Sequence, residues 1–215
     1  MVKILGYGSL LSEVSARSTF GESLRNFRLG RVKNYRRVFA LPGSIFFREK
    51  IANMATKEIA GLCVEPSDGS EFIVSVFEVP EDQLPAFHKR EALFTIRSVP
   101  FEESNGTTDT ALMCLPWNDD DLIASRGQTF FDERYAVHGL DKVWGWGPES
   151  GILPCRVYLR HCILSVQKLG QDVHEDFVSN TFLGDRRTPI KDYLAEFPDI
   201  MNAVPPPSLV NRYSG

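Results

Sequence analysis

The chain has 215 residues, 43% of them hydrophobic and 24% charged, the ordinary composition of a soluble globular domain. A formal net charge of −4, with the basic residues scattered as pairs (Arg36-Arg37, Lys89-Arg90, Arg186-Arg187), excludes a nucleic-acid-backbone binder. No apolar run is long enough to span a bilayer, and residues 1–11 lack the apolar core and cleavage site of a secretory signal, so a cytoplasmic protein without a membrane partner is expected.

Residues 2–6 predict a buried strand that ends in Tyr7-Gly8-Ser9-Leu10-Leu11 and runs into a short helix over residues 12–20, opened by Ser12. Glycine at such a corner lets the backbone approach a ligand closely, and the free N–H groups that follow suit a carboxylate or an oxyanion. Alone, a Gly-Ser corner is more often a plain turn with an N-cap serine. Residues 31–41 predict a second strand, ended by Pro42-Gly43. Residues 59–65 and 72–79 predict a hairpin around Pro66-Ser67-Asp68-Gly69-Ser70, because β-branched and aromatic runs flank turn-forming residues. Pro80-Glu81-Asp82 predicts the start of a helix that runs to about Leu93. Two further strands, 95–103 and 110–117, flank a turn at Asn105-Gly106-Thr107.

From Asn118 the pattern becomes helical, at residues 155–169, 174–182 and 190–197, and the loop Trp144-Gly145-Trp146-Gly147-Pro148 is expected to anchor itself to the core by its tryptophans. Strands first and helices last predict an α+β fold, a small twisted or closed mixed β-sheet with flanking helices, and not a repeating βαβ chain. A single domain over residues 1–203 is expected, followed by a loose Pro-rich tail, 204–215, that includes Pro205-Pro206-Pro207. Cys63, Cys114, Cys155 and Cys162 form no Cys-x-x-Cys pair and are expected as buried thiols. His88, His138, His161 and His174 stand alone, with His161 and His174 on helices at the surface or partly buried, so neither a metal nor another cofactor is expected. The Gly-x-Ser-x-Gly elbow of a serine hydrolase is absent around Ser9.

The Tyr7-Gly8-Ser9-Leu10 turn, Tyr35-Arg36-Arg37, Gly61-Leu62-Cys63-Val64, the pair Arg90-Glu91, and Gly151 followed by Pro154-Cys155-Arg156-Val157-Tyr158-Leu159 occur in this order. In that order the chain resembles the gamma-glutamyl cyclotransferase-like family over most of its length. The resemblance implies a barrel-like fold and a lyase-type reaction that needs no metal: the free amine of a small-molecule γ-glutamyl substrate attacks its own γ-carbonyl and yields 5-oxoproline and a free amine. It places the catalytic general acid/base at Glu91 and substrate binding at Tyr7, Gly8, Ser9 and Leu10. Read without the resemblance, a glutamate beside Lys89 and Arg90 is a solvated surface charge.

Three departures bear on the substrate. Leu11-Ser12-Glu13 stands where glutathione-specialised members have tryptophan, Phe94 replaces an aromatic hydroxyl, and Ala111-Leu112-Met113-Cys114-Leu115 offers no tyrosine, so glutathione is not implied. Tyr158 matches the tyrosine that opens the family's C-terminal helix, where packing and binding are both open. The competing expectation is a small-molecule or partner-binding module on the same fold, without turnover.

Overall fold

The computed structural model describes residues 1–215. Its strands are β1 (Val2–Gly6), β2 (Arg25–Pro42), β3 (Glu58–Val79), β4 (Thr95–Glu103), β5 (Thr108–Leu115), β6 (Leu153–Pro154) and β7 (Thr181–Phe182). β1 lies between β3, antiparallel, and β5, parallel; β5 pairs with β4, β4 with β2, and β2 returns to β3. The sheet therefore closes into a five-strand barrel, with β6 and β7 added in parallel to β3 and β2. Closure depends on the length of β2 and β3: three register shifts along their pairing add local twist, which lets β3 reach β1 on its other side. The fold class is the α+β, closed mixed sheet expected from the order of elements.

The helices are α1 (Glu13–Phe20), α2 (Ser44–Arg48), α3 (Leu84–Arg90), α4 (Asp119–Arg126), α5 (Gln128–Arg134), α6 (Arg156–Leu169), α7 (Gln171–Ser179), α8 (Ile190–Glu196) and α9 (Val210–Tyr213). Ser12 caps α1 through its Oγ, which accepts from the Ser15 amide at 3.1 Å. α7 is docked by a buried ion pair: the Arg37 guanidinium donates to Asp176 at 2.8 Å, between the rings of Phe72 and Phe177. No helix is long and apolar enough to cross a membrane.

The expected hairpin at 59–79 is not formed. Both halves belong to the single strand β3 and pair with β2, not with each other. Where the register steps from Lys33–Glu71 to Tyr35–Pro66, residues 67–70 are accommodated as an outward bulge. Gly69, at φ +75°, donates its amide to the Asn34 side chain across that bulge at 3.2 Å. Turn-forming residues permit a bulge as readily as a reversal, and β2, at 18 residues, offers a partner long enough for β3 to continue. The helix expected from Pro80 to Leu93 is also shorter: a 3-10 turn at Glu81–Gln83 leads into α3, which stops at Arg90.

The terminal segment expected to be loose is packed. Leu209 and Tyr213 are buried, α9 lies against α1, and the Tyr213 ring meets Tyr158 edge-on at 5.6 Å. The Gly215 amide donates to Nδ1 of His161 at 3.0 Å, and Lys168 donates to the Gly215 carbonyl at 2.7 Å. His161, expected at or near the surface, is fully buried. Burial pushes its pKa down to about 3, with the Ser9 carbonyl opposing and the neighbouring cations Arg90, Arg212 and Lys168 adding to the depression.

That depression makes a prediction for stability. Between about pH 3 and 6.5 the unfolded chain binds a proton at this imidazole that the folded chain refuses, so stability falls as pH falls through the window, at about 1.4 kcal/mol per pH unit from this group. Urea unfolding at pH 7 and pH 4.5 should show a smaller loss for His161→Gln, which keeps an acceptor for Gly215 but does not titrate. An equal loss in both proteins would remove His161 as the source.

Candidate functional site

A cavity of about 510 Å³ opens at one end of the barrel. Strand ends converge there: Leu5 and Gly6 of β1, Leu41 of β2, Gly61 and Leu62 near the start of β3, and Cys114 of β5. The turn Tyr7–Leu10, the end of α3 with Glu91, and Arg212 and Tyr213 of α9 complete the wall. Tyr7, Gly8, Ser9, Leu10 and Glu91, all singled out in the sequence, therefore face one cavity.

Arg90 joins these parts. Its side chain is 3% exposed, and its guanidinium makes five hydrogen bonds, as many as it has N–H donors. Nε donates to Glu91 Oε1 at 3.1 Å, and Nη2 to Ser9 Oγ and Ser15 Oγ, both at 3.0 Å. Nη1 donates to the Ser15 carbonyl at 2.8 Å and to Thr19 Oγ1 at 2.6 Å. One planar, rigid group thus fixes the turn, α1 and the Glu91 carboxylate to one another, although Ser9 and Arg90 are 81 residues apart in sequence. Burial lowers the Arg90 pKa, and the charge of Glu91 offsets part of that effect.

Glu91 itself caps α3, its amide still bonded to the Phe87 carbonyl at 2.9 Å. The break from helical geometry at this residue turns the side chain inward. It is 15% exposed, and only Oε1 accepts a hydrogen bond from the chain. The surface reading of this carboxylate is thereby corrected: its charge neighbour is the buried Arg90, not solvent. The next residues are held from outside the barrel, since Trp144 Nε1 donates to the Leu93 carbonyl at 3.0 Å and its ring meets Phe94 edge-on at 5.6 Å. Asp119 accepts from the Val143 and Trp144 amides, each at 3.0 Å, so the Trp-Gly-Trp loop is anchored as expected.

The turn departs from expectation in one respect. The Ser9 amide, expected to face a ligand, donates to the Tyr158 hydroxyl at 3.2 Å. The Gly8 amide donates to no group of the chain. A Cβ on Gly8 would lie 2.5 Å from the Tyr158 hydroxyl, so any larger residue here would have to displace that hydroxyl from the turn. Tyr158 both packs, against Phe46 at 5.3 Å between ring centres, and positions the turn.

The cavity wall has five cationic side chains, Arg48, Lys89, Arg90, Arg134 and Arg212, and one carboxylate, Glu91. Burial raises the Tyr7 and Tyr158 phenols and the Cys114 thiol well above their ordinary values, and the nearby Glu91 charge adds to each. These groups therefore stay protonated at neutral pH, and Tyr7 donates to the Cys114 carbonyl at 3.1 Å. Glu91 is the one acidic side chain of the wall available as a base. No group of three or more His, Cys, Asp or Glu side chains is arranged to hold a metal ion, and all four cysteines are free and buried.

Sequence reasoning placed Arg90 only as the neighbour of Glu91 and missed Ser15, Thr19, Arg212 and Tyr213. The signal for the last two was an Arg-Tyr pair inside a segment otherwise rich in proline and polar residues.

No protein-family model matches the sequence, and no curated protein matches it. Several solved structures overlap part of the chain. A human protein described as uncharacterized shares 16% identity over 54% of this chain and 67% of its own, with a TM-score of 0.44. A gamma-glutamyl cyclotransferase shares 15% identity over 54% of this chain and 67% of its own, also at 0.44. An Arabidopsis thaliana protein shares 14% identity over 61% of this chain and 78% of its own, at 0.41.

Proposed function

We propose that the cavity catalyses cyclisation of a γ-glutamyl compound to 5-oxoproline with release of the attached amine, Glu91 acting as general acid and base. The observation that carries this reading is the meeting of the Tyr7–Leu10 turn and Glu91 in one cavity, joined through Arg90. Glu91 takes a proton from the substrate ammonium through Oε2, the oxygen that Arg90 leaves free. The amine then attacks the γ-carbonyl, a C–N bond closes the five-membered lactam, and the original amide C–N bond breaks as Glu91 passes its proton to the departing nitrogen; the carboxylate then takes the second proton from the ring nitrogen and hands it to the released amine, which leaves as its ammonium. Tyr7, Gly8, Ser9 and Leu10 form the substrate-binding turn, with the uncommitted Gly8 amide directed to the glutamyl α-carboxylate.

Holding the amine and carbonyl together is the other half of the chemistry, since correct orientation of an intramolecular attack contributes about 7–11 kcal/mol. The apolar wall around the turn and the rigid Arg90 cluster supply that constraint. The carboxylate and backbone groups are sufficient for every proton transfer in this scheme, so no cofactor enters it. The four free thiols agree with a cytoplasmic setting.

The test is 5-oxoproline release across γ-glutamyl dipeptides, glutathione and γ-glutamyl-ε-lysine. Release from at least one, without strict preference for glutathione, is the expected result, because Phe94 stands in the wall where a hydroxyl would leave an unpaired polar group against a poor fit. The tie between Glu91 and Arg90 also suits a purely architectural carboxylate. Binding without turnover across the panel would therefore assign the cavity to a non-catalytic binding module.

A further inference from the structure

We infer that Arg212, carried into the cavity by the C-terminal helix α9, determines specificity by pairing with a carboxylate on the departing half of the substrate. The substrates are then γ-glutamyl amino acids or peptides, not γ-glutamyl amines that lack a carboxylate. The inference rests on the cyclisation reading for the identity of the γ-glutamyl half, and on the charge of the wall for the rest.

The Nε atoms of Arg36, Arg37 and Arg212 are all buried without a hydrogen-bond partner, but of these three only Arg212 has no ion pair. Arg36, Arg37 and Arg90 face Glu65, Asp176 and Glu91 respectively, at 3.2, 2.8 and 3.1 Å. Arg212 makes no ion pair, its Nε is buried without a hydrogen-bond partner, and its guanidinium lies 5.6 Å from the centre of the Tyr213 ring. Arg212 is half-buried, so solvent screens part of its charge, and a carboxylate entering the cavity is the counter-charge it lacks. Its position is not accidental to a mobile end, because Tyr213 is 2% exposed and Gly215 is tied to His161 and Lys168.

The γ-glutamyl group cannot supply that charge. It enters as a zwitterion, its ammonium facing Glu91 and its α-carboxylate at the turn, and so leaves the surplus of cations in the wall unchanged. Lys89 and Arg134, also without ion pairs, add to the positive charge of the wall. A second carboxylate on the departing half balances Arg212, whereas a cationic amine there meets repulsion from it.

The experiment compares γ-glutamyl-alanine with γ-glutamyl-alaninamide, which differ in one carboxylate, by calorimetric binding to the wild type, Arg212→Met and Arg212→Lys. The wild type should bind the acid at least about tenfold more tightly than the amide, the scale of one charge-assisted hydrogen bond. That ratio should collapse toward one in Arg212→Met and be partly kept in Arg212→Lys, with melting curves checking that each variant is folded. Equal wild-type affinity for both compounds, a ratio unchanged in Arg212→Met, or binding of neither overturns the inference. Because the readout is binding, it separates from catalysis: a ratio set by Arg212 with no 5-oxoproline released would refute the cyclisation reading and leave the assignment of Arg212 standing.

Discussion

Glu91→Gln is expected to slow 5-oxoproline release by about 10²–10⁴-fold, the range for loss of a general acid/base, and to lie toward the upper end because one carboxylate serves both proton transfers. The amide matches the carboxylate in shape and still offers an oxygen to Arg90 Nε, so the turn, α1 and α3 remain joined by the other four bonds of that guanidinium. Loss of the only charge opposite a buried arginine should lower the melting temperature without abolishing the fold. Rates on a compound the wild type cyclises, with circular dichroism as a control, decide the matter. Wild-type turnover in a folded Glu91→Gln protein would exclude Glu91 as the base. Tyr7 and Tyr158 are poor replacements, because burial keeps both phenols protonated.

Arg90→Met is expected to destabilise the protein by about 3–5 kcal/mol, the usual cost of removing one partner from a buried ion pair. Three separate losses contribute. Glu91 keeps its charge without a neighbour to balance it, the hydroxyls of Ser9, Ser15 and Thr19 lose their donor, and so does the Ser15 carbonyl. Lysine is a poor substitute, since a single ammonium has three donors and lacks the planar fork that reaches all of these groups. Urea unfolding measures the change. The double variant Arg90→Met/Glu91→Leu should recover part of the loss by removing the stranded carboxylate, and a double variant less stable than Arg90→Met would show that the ion pair is not what Arg90 contributes. Activity should fall with Arg90→Met even at low temperature, where the variant is folded, because the turn and Glu91 lose their common support.

Elements that depend on neighbours in sequence were legible in it. Val2–Gly6, the Ser12 cap of α1, the β4–β5 hairpin across Gly106 and the amphipathic α6 follow from periodicity, caps and a glycine at φ +82°. Glu91 and the Tyr7–Leu10 turn were also singled out there, though by resemblance of short motifs and not by any local property of the glutamate. The Pro66–Ser70 segment shows the limit of such reasoning. Its residues favour a change of direction, but whether the chain reverses or bulges depends on β2, whose pairing residues precede it by about thirty positions.

By itself, then, the amino-acid sequence determined the kinds of element, the α+β class and two candidate pieces of a site. Only the tertiary structure decided that the barrel closes, that the Ser9 amide is taken by Tyr158 from 149 residues away, and that Arg90 unites turn and carboxylate. It also decided that Arg212 and Tyr213 belong to the cavity wall and not to a loose tail. The physical reason is common to all four. Each depends on which distant groups become neighbours once apolar surface is buried, and a buried guanidinium, amide or phenol selects its partners from whatever that packing brings within hydrogen-bond reach.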